Sequence, residues 1–322
     1  MPFHTDYRPR TLKEFFGNTQ AKRILVSIFK NTPKGKYPHS YLLIGPRGCG
    51  KTTLARIIAK LLGCNLETDF KELNAASFRG IDTAREVTKT VNMKPLAGSV
   101  RVWFFDECHQ LTKDAQEALL KVVEQPPAHA YFIFSTTDPQ DLKPTLKDRC
   151  VTIPVVPLKK KEAVELIKYV CKKEGKNLPP KEVILKLLEV SECRPRALLM
   201  GLERVLGCSS LQEMLSVLDT VLPSTQVYAV KLCQLVLKSG TSWSEIGSLL
   251  QELKAEDPEG IRRMMLSYMT KVLQTPHTQA DGIRAAVLLE QLLGVPVGSG
   301  FPGLTLACFK AWLELSQVME GE

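Results

Sequence analysis

Between residues 41 and 153, short apolar runs alternate with stretches whose apolar residues recur at helical spacing. Tyr41-Leu42-Leu43-Ile44, Phe70-Lys71-Glu72-Leu73, Val100-Arg101-Val102-Trp103-Phe104-Phe105, Tyr131-Phe132-Ile133-Phe134 and Val151-Thr152-Ile153 all have strand length. Mostly continuous apolar runs of this kind, separated by helices, predict a parallel sheet covered on both faces. After Pro154 and Pro157 the pattern changes, and helical segments near 159–174, 180–190 and 195–206 predict a small helical lid. From about residue 216 onward, apolar-periodic helices are separated by Ser239-Gly240, Asp257-Pro258, Thr275-Pro276 and Gly294-Val295-Pro296. The expected organisation is an α/β core over residues 1–157, a helical lid over 158–215 and an all-helical domain over 216–322.

The first strand-like run leads into Gly45-Pro46-Arg47-Gly48-Cys49-Gly50-Lys51-Thr52, and Thr53 opens a helix-like run. This is a complete phosphate-binding loop in strand-loop-helix context. Its glycines let backbone N–H groups curl around a β-phosphate, Lys51 reaches the β- and γ-oxygens, and the Thr52 hydroxyl completes the shell of a Mg²⁺ ion. The helix N-terminus adds its partial positive charge. Residues Gly45 to Thr53 are therefore expected to bind a nucleoside triphosphate.

The third run ends in Asp106-Glu107. A carboxylate pair at the end of a buried strand beside such a loop has a mechanical reading: Asp106 holds Mg²⁺ through water and Glu107 polarises the water that attacks the γ-phosphate. A solvated strand end is the alternative. His109, in Asp106-Glu107-Cys108-His109, reads as a helix-entry or loop residue. The next strand runs into Ser135-Thr136-Thr137-Asp138, a polar tip able to hold the attacking water or touch the γ-phosphate. Arg149 precedes the last strand, and Arg194 and Arg196 lie at the start of a helix.

A chain of 322 residues can bury a sizeable core and is expected to hold two or three domains. No apolar run approaches the ~20 residues of a membrane span, and the amino terminus lacks the apolar core of a secretory signal. A soluble, intracellular protein with no membrane association is expected. The nine cysteines are scattered singly, without a Cys-x-x-Cys pair, which argues against a disulfide framework and against zinc. Net charge is +9; residues 216–322 carry −3 and residues 1–215 carry +12. A polyanion is the natural partner of the basic part, with an ordinary basic surface as the alternative.

In combination these motifs resemble the AAA+ ATPase subunits of DNA polymerase clamp loaders. The stretch from Tyr7-Arg8-Pro9 to Phe16-Gly17-Asn18 is similar to that family's adenine-binding segment. Ala118-Leu119-Leu120-Lys121-Val122-Val123-Glu124-Gln125-Pro126-Pro127 and Thr136-Thr137-Asp138-Pro139-Gln140 resemble the bacterial gamma/tau pattern. Asp69 to Asp82 looks instead like the small subunits of replication factor C, and the four-cysteine zinc module of gamma/tau is missing. The likeness covers roughly residues 4 to 205.

The resemblance implies an AAA+ P-loop core with a helical lid and an all-helical carboxyl-terminal collar. Tyr7, Arg8, Phe16 and Gly17 would join residues 45 to 53 in binding ATP, with Thr52 and Asp106 on Mg²⁺. Thr137 would be sensor 1. Arg149, in Asp148-Arg149-Cys150 where the family has Ser-Arg-Cys, would be an arginine finger for ATP on the neighbouring subunit. Arg196 would be sensor 2, with Arg194 a rival. Arg79, Arg85 and Lys89 would grip duplex phosphates, although a solvated helix face suits them too. Implied partners are other loader subunits in a hetero- or homo-pentamer, a sliding clamp and primer-template DNA, in bacterial or phage-infected cytoplasm or a eukaryotic nucleus. The alternatives are another AAA+ DNA-remodelling ATPase, a structural loader subunit with little ATPase activity, or a small-molecule kinase.

Overall fold

Five strands, β1 (Ser40–Ile44), β2 (Phe70–Asn74), β3 (Arg101–Asp106), β4 (Ala130–Thr136) and β5 (Val151–Pro154), form one parallel sheet in the order β2-β3-β4-β1-β5. They are the five runs read as strands from the sequence. This computed structural model describes residues 2–33, 35–75, 80–219, 224–238, 240–253, 258–274, 278–296 and 299–319. Its backbone separates into two compact units, Met1–Leu215 and Ser216–Glu322.

In the first unit the strands alternate with helices α1 (Phe3–Asp6), α2 (Thr19–Asn31), α3 (Lys51–Leu62), α4 (Ile81–Thr90), α5 (Lys113–Glu124) and α6 (Pro144–Lys147). Successive strand side chains point to opposite faces, and both faces are apolar. Tyr41, Leu43, Phe104 and Ile133 pack with Leu25 of α2 and Leu54 and Ile58 of α3. Leu42, Trp103, Phe105, Phe132 and Phe134 pack on the other side with Val87 of α4 and Leu119 of α5. The Phe105 and Phe134 rings stack at 5.0 Å across adjacent strands. Each such buried side chain contributes ~1.5–3 kcal/mol of apolar burial, which makes the sheet a rigid platform.

Register decides where chemistry can occur. Ile44 lies opposite Thr136, Phe105 opposite Phe134, and Asn74 opposite Asp106. The carboxyl ends of β1, β2, β3 and β4 therefore meet at one edge, where ligands of open α/β sheets bind. Three helices close the first unit, α7 (Lys160–Lys173), α8 (Lys181–Val190) and α9 (Pro195–Val205), near the segments expected from periodicity. They bury Leu166, Ile167, Val183, Leu187, Leu198 and Leu202. Proline at the first position of α9 suits a helix start, where no backbone N–H is needed.

Helix α10 (Leu211–Asp219) spans the division between the units. The second unit holds α11 (Ser224–Leu237), α12 (Trp243–Glu252), α13 (Pro258–Gln274), α14 (Gln279–Leu293) and α15 (Gly300–Met319). Leu232, Ile246, Leu250, Met265, Leu288 and Cys308 form its core. Trp312 Nε1 donates to the Thr241 carbonyl at 2.8 Å, which satisfies the polar edge of a half-buried indole. No described helix is long and apolar enough to cross a membrane.

Candidate nucleotide site

The phosphate loop leaves β1 where the chain passes very close to Val155, the residue after β5. A side-chain carbon at Gly45 would lie 1.8 Å from the Val155 carbonyl oxygen, so only glycine fits. Gly50 caps α3 at φ 99°, a left-handed conformation that aims the following N–H groups into the loop. Lys51 is 5% exposed, and its Nζ donates to the carbonyls of Gly45 at 2.7 Å and Pro46 at 3.1 Å. Burial pulls its ammonium below the usual lysine range, and the charges of Glu107 and Asp106 oppose that shift.

Asp106, at the end of β3, is held from three sides. The Thr52 hydroxyl donates to Oδ2 at 3.1 Å, the Glu107 N–H donates to Oδ1 at 3.1 Å, and the Ser135 hydroxyl donates to Oδ1. Glu107 turns the chain at φ 54°, an uncommon conformation for a side-chain-bearing residue, and caps the 3-10 turn Cys108–Gln110. Its carboxylate faces Arg47 of the phosphate loop and His109 Nε2, each at 3.5 Å. Strand end, loop and turn thus place two carboxylates, a lysine and a hydroxyl together.

These groups line a cavity of about 570 Å³, which Arg47, Gly48, Cys49, Gly50, Lys51, Thr52 and Thr53 share with Asp106 and Glu107. The amino-terminal segment forms another wall through Tyr7, Arg8 and Phe16. Arg8 Nε donates to the Thr53 hydroxyl at 3.1 Å, and burial lowers its affinity for the proton. Tyr7 stands edge-on to Phe3 and Tyr169, and its hydroxyl donates to Glu174 at the end of α7. Burial and that hydrogen bond push the phenol up to about 12. Arg196 lines the cavity from α9, and its N–H donates to the Gly48 carbonyl at 3.2 Å. Arg194 does not line it and pairs with Glu192 at 3.1 Å.

Other residues expected at the site stand differently. Gly45 and Pro46 act through their carbonyls on Lys51 rather than as cavity wall. Gly17 also lies off the wall, in the turn before Asn18, whose amide exchanges hydrogen bonds with the Val156 backbone at 2.8 and 3.1 Å. Thr137 follows β4 and donates to Asp138 Oδ2 at 2.6 Å, outside the lining. Arg149 is exposed, away from the cavity; it donates to the Thr145 carbonyl at 2.7 Å and pairs with Glu124. Arg85 and Lys89 are exposed on α4, where Arg85 pairs with Asp82 at 3.4 Å. Arg79 lies outside the described residues.

Several residues at the site escaped the sequence reading. Asn74 and Gln110 line the cavity next to the carboxylates, and Leu166 and Leu199 supply apolar wall from α7 and α9. Asn74 ends a half-polar edge strand, Phe70-Lys71-Glu72-Leu73-Asn74, and gains meaning only once register sets it beside Asp106. His109, read as a helix-entry or loop residue, sits in the 3-10 turn, and its contacts with Glu107 and Thr136 were not foreseen.

Known proteins resemble this chain in fold and in sequence. Solved structures of the RuvB Holliday junction branch migration motor of Thermotoga maritima superpose with a TM-score of 0.58 at 19% identity, covering 76% of this chain and 85% of that one. The shared fold is the α/β core with its five-stranded parallel sheet and helical domains. Residues 69–159 match the family described as DNA polymerase III, delta subunit, and residues 11–101 match magnesium chelatase, subunit ChlI. DNA polymerase III subunit gamma of Buchnera aphidicola is 32% identical over 202 residues, 56% of this chain and 54% of that protein. Subunit gamma/tau of Mycobacterium tuberculosis is 33% identical over 197 residues, 54% of this chain and 34% of that protein. The chain is related to the DNA polymerase III gamma and gamma/tau subunits. The matched part thus spans between a third and just over half of the length of these relatives.

Proposed function

We propose that the chain is an ATP-hydrolysing subunit of a DNA polymerase sliding-clamp loader. The observation that carries this reading is the gathering of Lys51, Thr52, Asp106 and Glu107 in one cavity that Arg196 enters from the lid helices. Relationship to the gamma/tau subunits supports the clamp-loading part of the proposal.

The residues divide the work by chemistry. Lys51 exchanges its carbonyl partners for β- and γ-phosphate oxygens, and the N–H groups around Gly48 and Gly50 cradle the β-phosphate. A Mg²⁺ ion held by one hydroxyl and one carboxylate completes its shell with phosphate and water. Thr52 and Asp106 are that pair, and Mg²⁺ there would neutralise charge on the phosphoryl oxygens. Glu107 orients and polarises the attacking water. Tyr7, Arg8 and Phe16 receive the adenine side of the ligand, Thr137 senses the γ-phosphate from the tip of β4, and Arg196 reports it to the lid.

Arg149, exposed and away from its own cavity, is assigned as the finger for a neighbour's ATP. Arg85 and Lys89 are assigned to duplex phosphates. Residues 1–157 would be the ATPase core, 158–215 the lid and 216–322 the collar of a pentamer acting on a clamp and primer-template DNA in the cytoplasm. ATP binding would hold the clamp open, and hydrolysis on DNA would release it.

The test is the ATPase rate with and without primer-template DNA and a candidate clamp. Severalfold stimulation by DNA and clamp together is expected. Hydrolysis indifferent to both would leave an AAA+ ATPase of another kind.

A further inference from the structure

His109 lies where the two ends of the site meet. Its Nδ1 is 3.2 Å from the Thr136 hydroxyl, and its Nε2 is 3.5 Å from Glu107 Oε2 and 3.9 Å from Asp138 Oδ2. Thr136 Oγ1 accepts the Asp138 N–H at 2.9 Å, and the Thr137 hydroxyl donates to the same Asp138 Oδ2 that faces the imidazole. The Asp138 N–H donates to Thr136 Oγ1, that hydroxyl lies within hydrogen-bond distance of Nδ1, and Nε2 faces the Glu107 carboxylate across an ion-pair contact of 3.5 Å. With the Thr136 hydroxyl donating to Nδ1, a neutral ring carries its N–H at Nε2, on the side of Glu107.

The surroundings make the contact one of few that fix Glu107. Glu107 is at φ 54°, off the sheet, so no strand ladder orients its side chain. Arg47, which pairs with Glu107 at 3.5 Å, has a side chain 70% exposed and belongs to the loop that would wrap phosphate. The histidine side chain is only 12% exposed and is braced against a fully buried threonine. Of the two partners, the imidazole is the one whose position the fold determines.

We propose that His109 is a positioning residue that couples the tip of β4 to the Glu107 carboxylate, so that Thr137 and Glu107 are set together rather than independently. A shift of residues 136–138 toward a γ-phosphate moves the hydroxyl and carboxylate that hold the ring, and the ring carries Glu107 with it. The inference rests on the hydrolytic reading of Glu107 given above.

The experiment pairs nucleotide affinity, read by titration with a fluorescent ATP analogue, with the steady-state ATPase of the full chain, assayed with its clamp and DNA if they stimulate it. His109→Ala is expected to lower kcat roughly 10- to 100-fold, the scale of a slightly misplaced group, while affinity stays within about twofold. His109→Gln, whose amide N–H can replace Nε2–H, recovers most of the rate, whereas His109→Asn does not. Thr136→Val slows turnover similarly, and adding it to His109→Ala costs little more. Additive losses, or a His109→Ala enzyme at the wild-type rate beside an inactive Glu107→Gln, overturn the coupling alone. A Glu107→Gln enzyme that turns over normally overturns the hydrolytic reading and this inference with it. If circular dichroism finds His109→Ala unfolded, Thr136→Val decides, and its turnover at the wild-type rate is fatal to the proposal.

Discussion

The Thr52 hydroxyl donates to Asp106 Oδ2 at 3.1 Å, joining the first turn of α3 to the end of β3. Two candidate cation ligands from elements far apart in sequence are therefore already in contact, and Ser135 and the Glu107 N–H hold the other carboxylate oxygen. Thr52→Val keeps the shape and removes one oxygen ligand. It is expected to weaken Mg²⁺-ATP binding by roughly tenfold, ~1.4 kcal/mol, and to change binding in EDTA much less. Titrations with and without the metal decide; equal losses in both would remove Thr52 from the cation shell.

Gly45→Ala tests the close approach of the phosphate loop to Val155. The added carbon meets the Val155 carbonyl oxygen at 1.8 Å, a backbone atom with no side-chain freedom to yield. Strain of about 3 kcal/mol follows, which in a domain of this size lowers Tm by roughly 10 °C. Differential scanning fluorimetry without nucleotide measures it, and an unchanged Tm would mean that the loop and β5 separate easily.

The platform was legible in the sequence because both periodicity and motif spacing are local. Tyr41 to Ile44 and Gly45 to Thr53 fix a strand, a loop and a helix start within thirteen residues, and Asp106-Glu107 ends an apolar run too long to miss. What escaped depends on pairing between distant segments. Asn74 becomes a site residue through its register with Asp106, and Leu166 and Leu199 through the placement of α7 and α9 beside the loop. Gly17 carried a ligand-binding expectation from its neighbours in a motif, yet its place is a turn that Asn18 fastens to Val156. Arg196 and Arg194, two residues apart, were not separable by spacing; the helix start turns the first toward the cavity and leaves the second with Glu192.

Asp69→Asn probes the frame that holds β2 to the segment before β3. Burial alone would raise the Asp69 carboxyl, but the N–H groups of Gly98, Leu96 and Ala97 and the Thr68 hydroxyl outweigh it and hold the group down at about 2. The folded value lies below the unfolded one of ~3.9, so the unfolded chain binds the extra proton between the two. The stabilisation, about 2 kcal/mol, is fully present above pH ~4 and disappears as pH falls through about 2. Urea unfolding of wild type and Asp69→Asn at pH 7 and pH 3 should give a gap that narrows at the lower pH. A gap independent of pH would locate the loss in packing rather than charge.

Arg149→Ala distinguishes a group that serves a neighbour from one that serves its own fold. The side chain is exposed, its ion pair with Glu124 is worth ~0–1 kcal/mol at such a site, and Tm should hardly move. Turnover is another matter: a guanidinium that neutralises charge on a transferring γ-phosphoryl group contributes ~10³ or more in rate. Because this arginine stands away from its own cavity, the loss should appear at the adjacent subunit's ATP. Mixing Arg149→Ala, whose own site is intact, with Lys51→Ala, whose arginine is intact, should restore part of the hydrolysis that each lacks alone. Absence of recovery in a mixture shown by mass spectrometry to contain both variants in one assembly would end the assignment in trans.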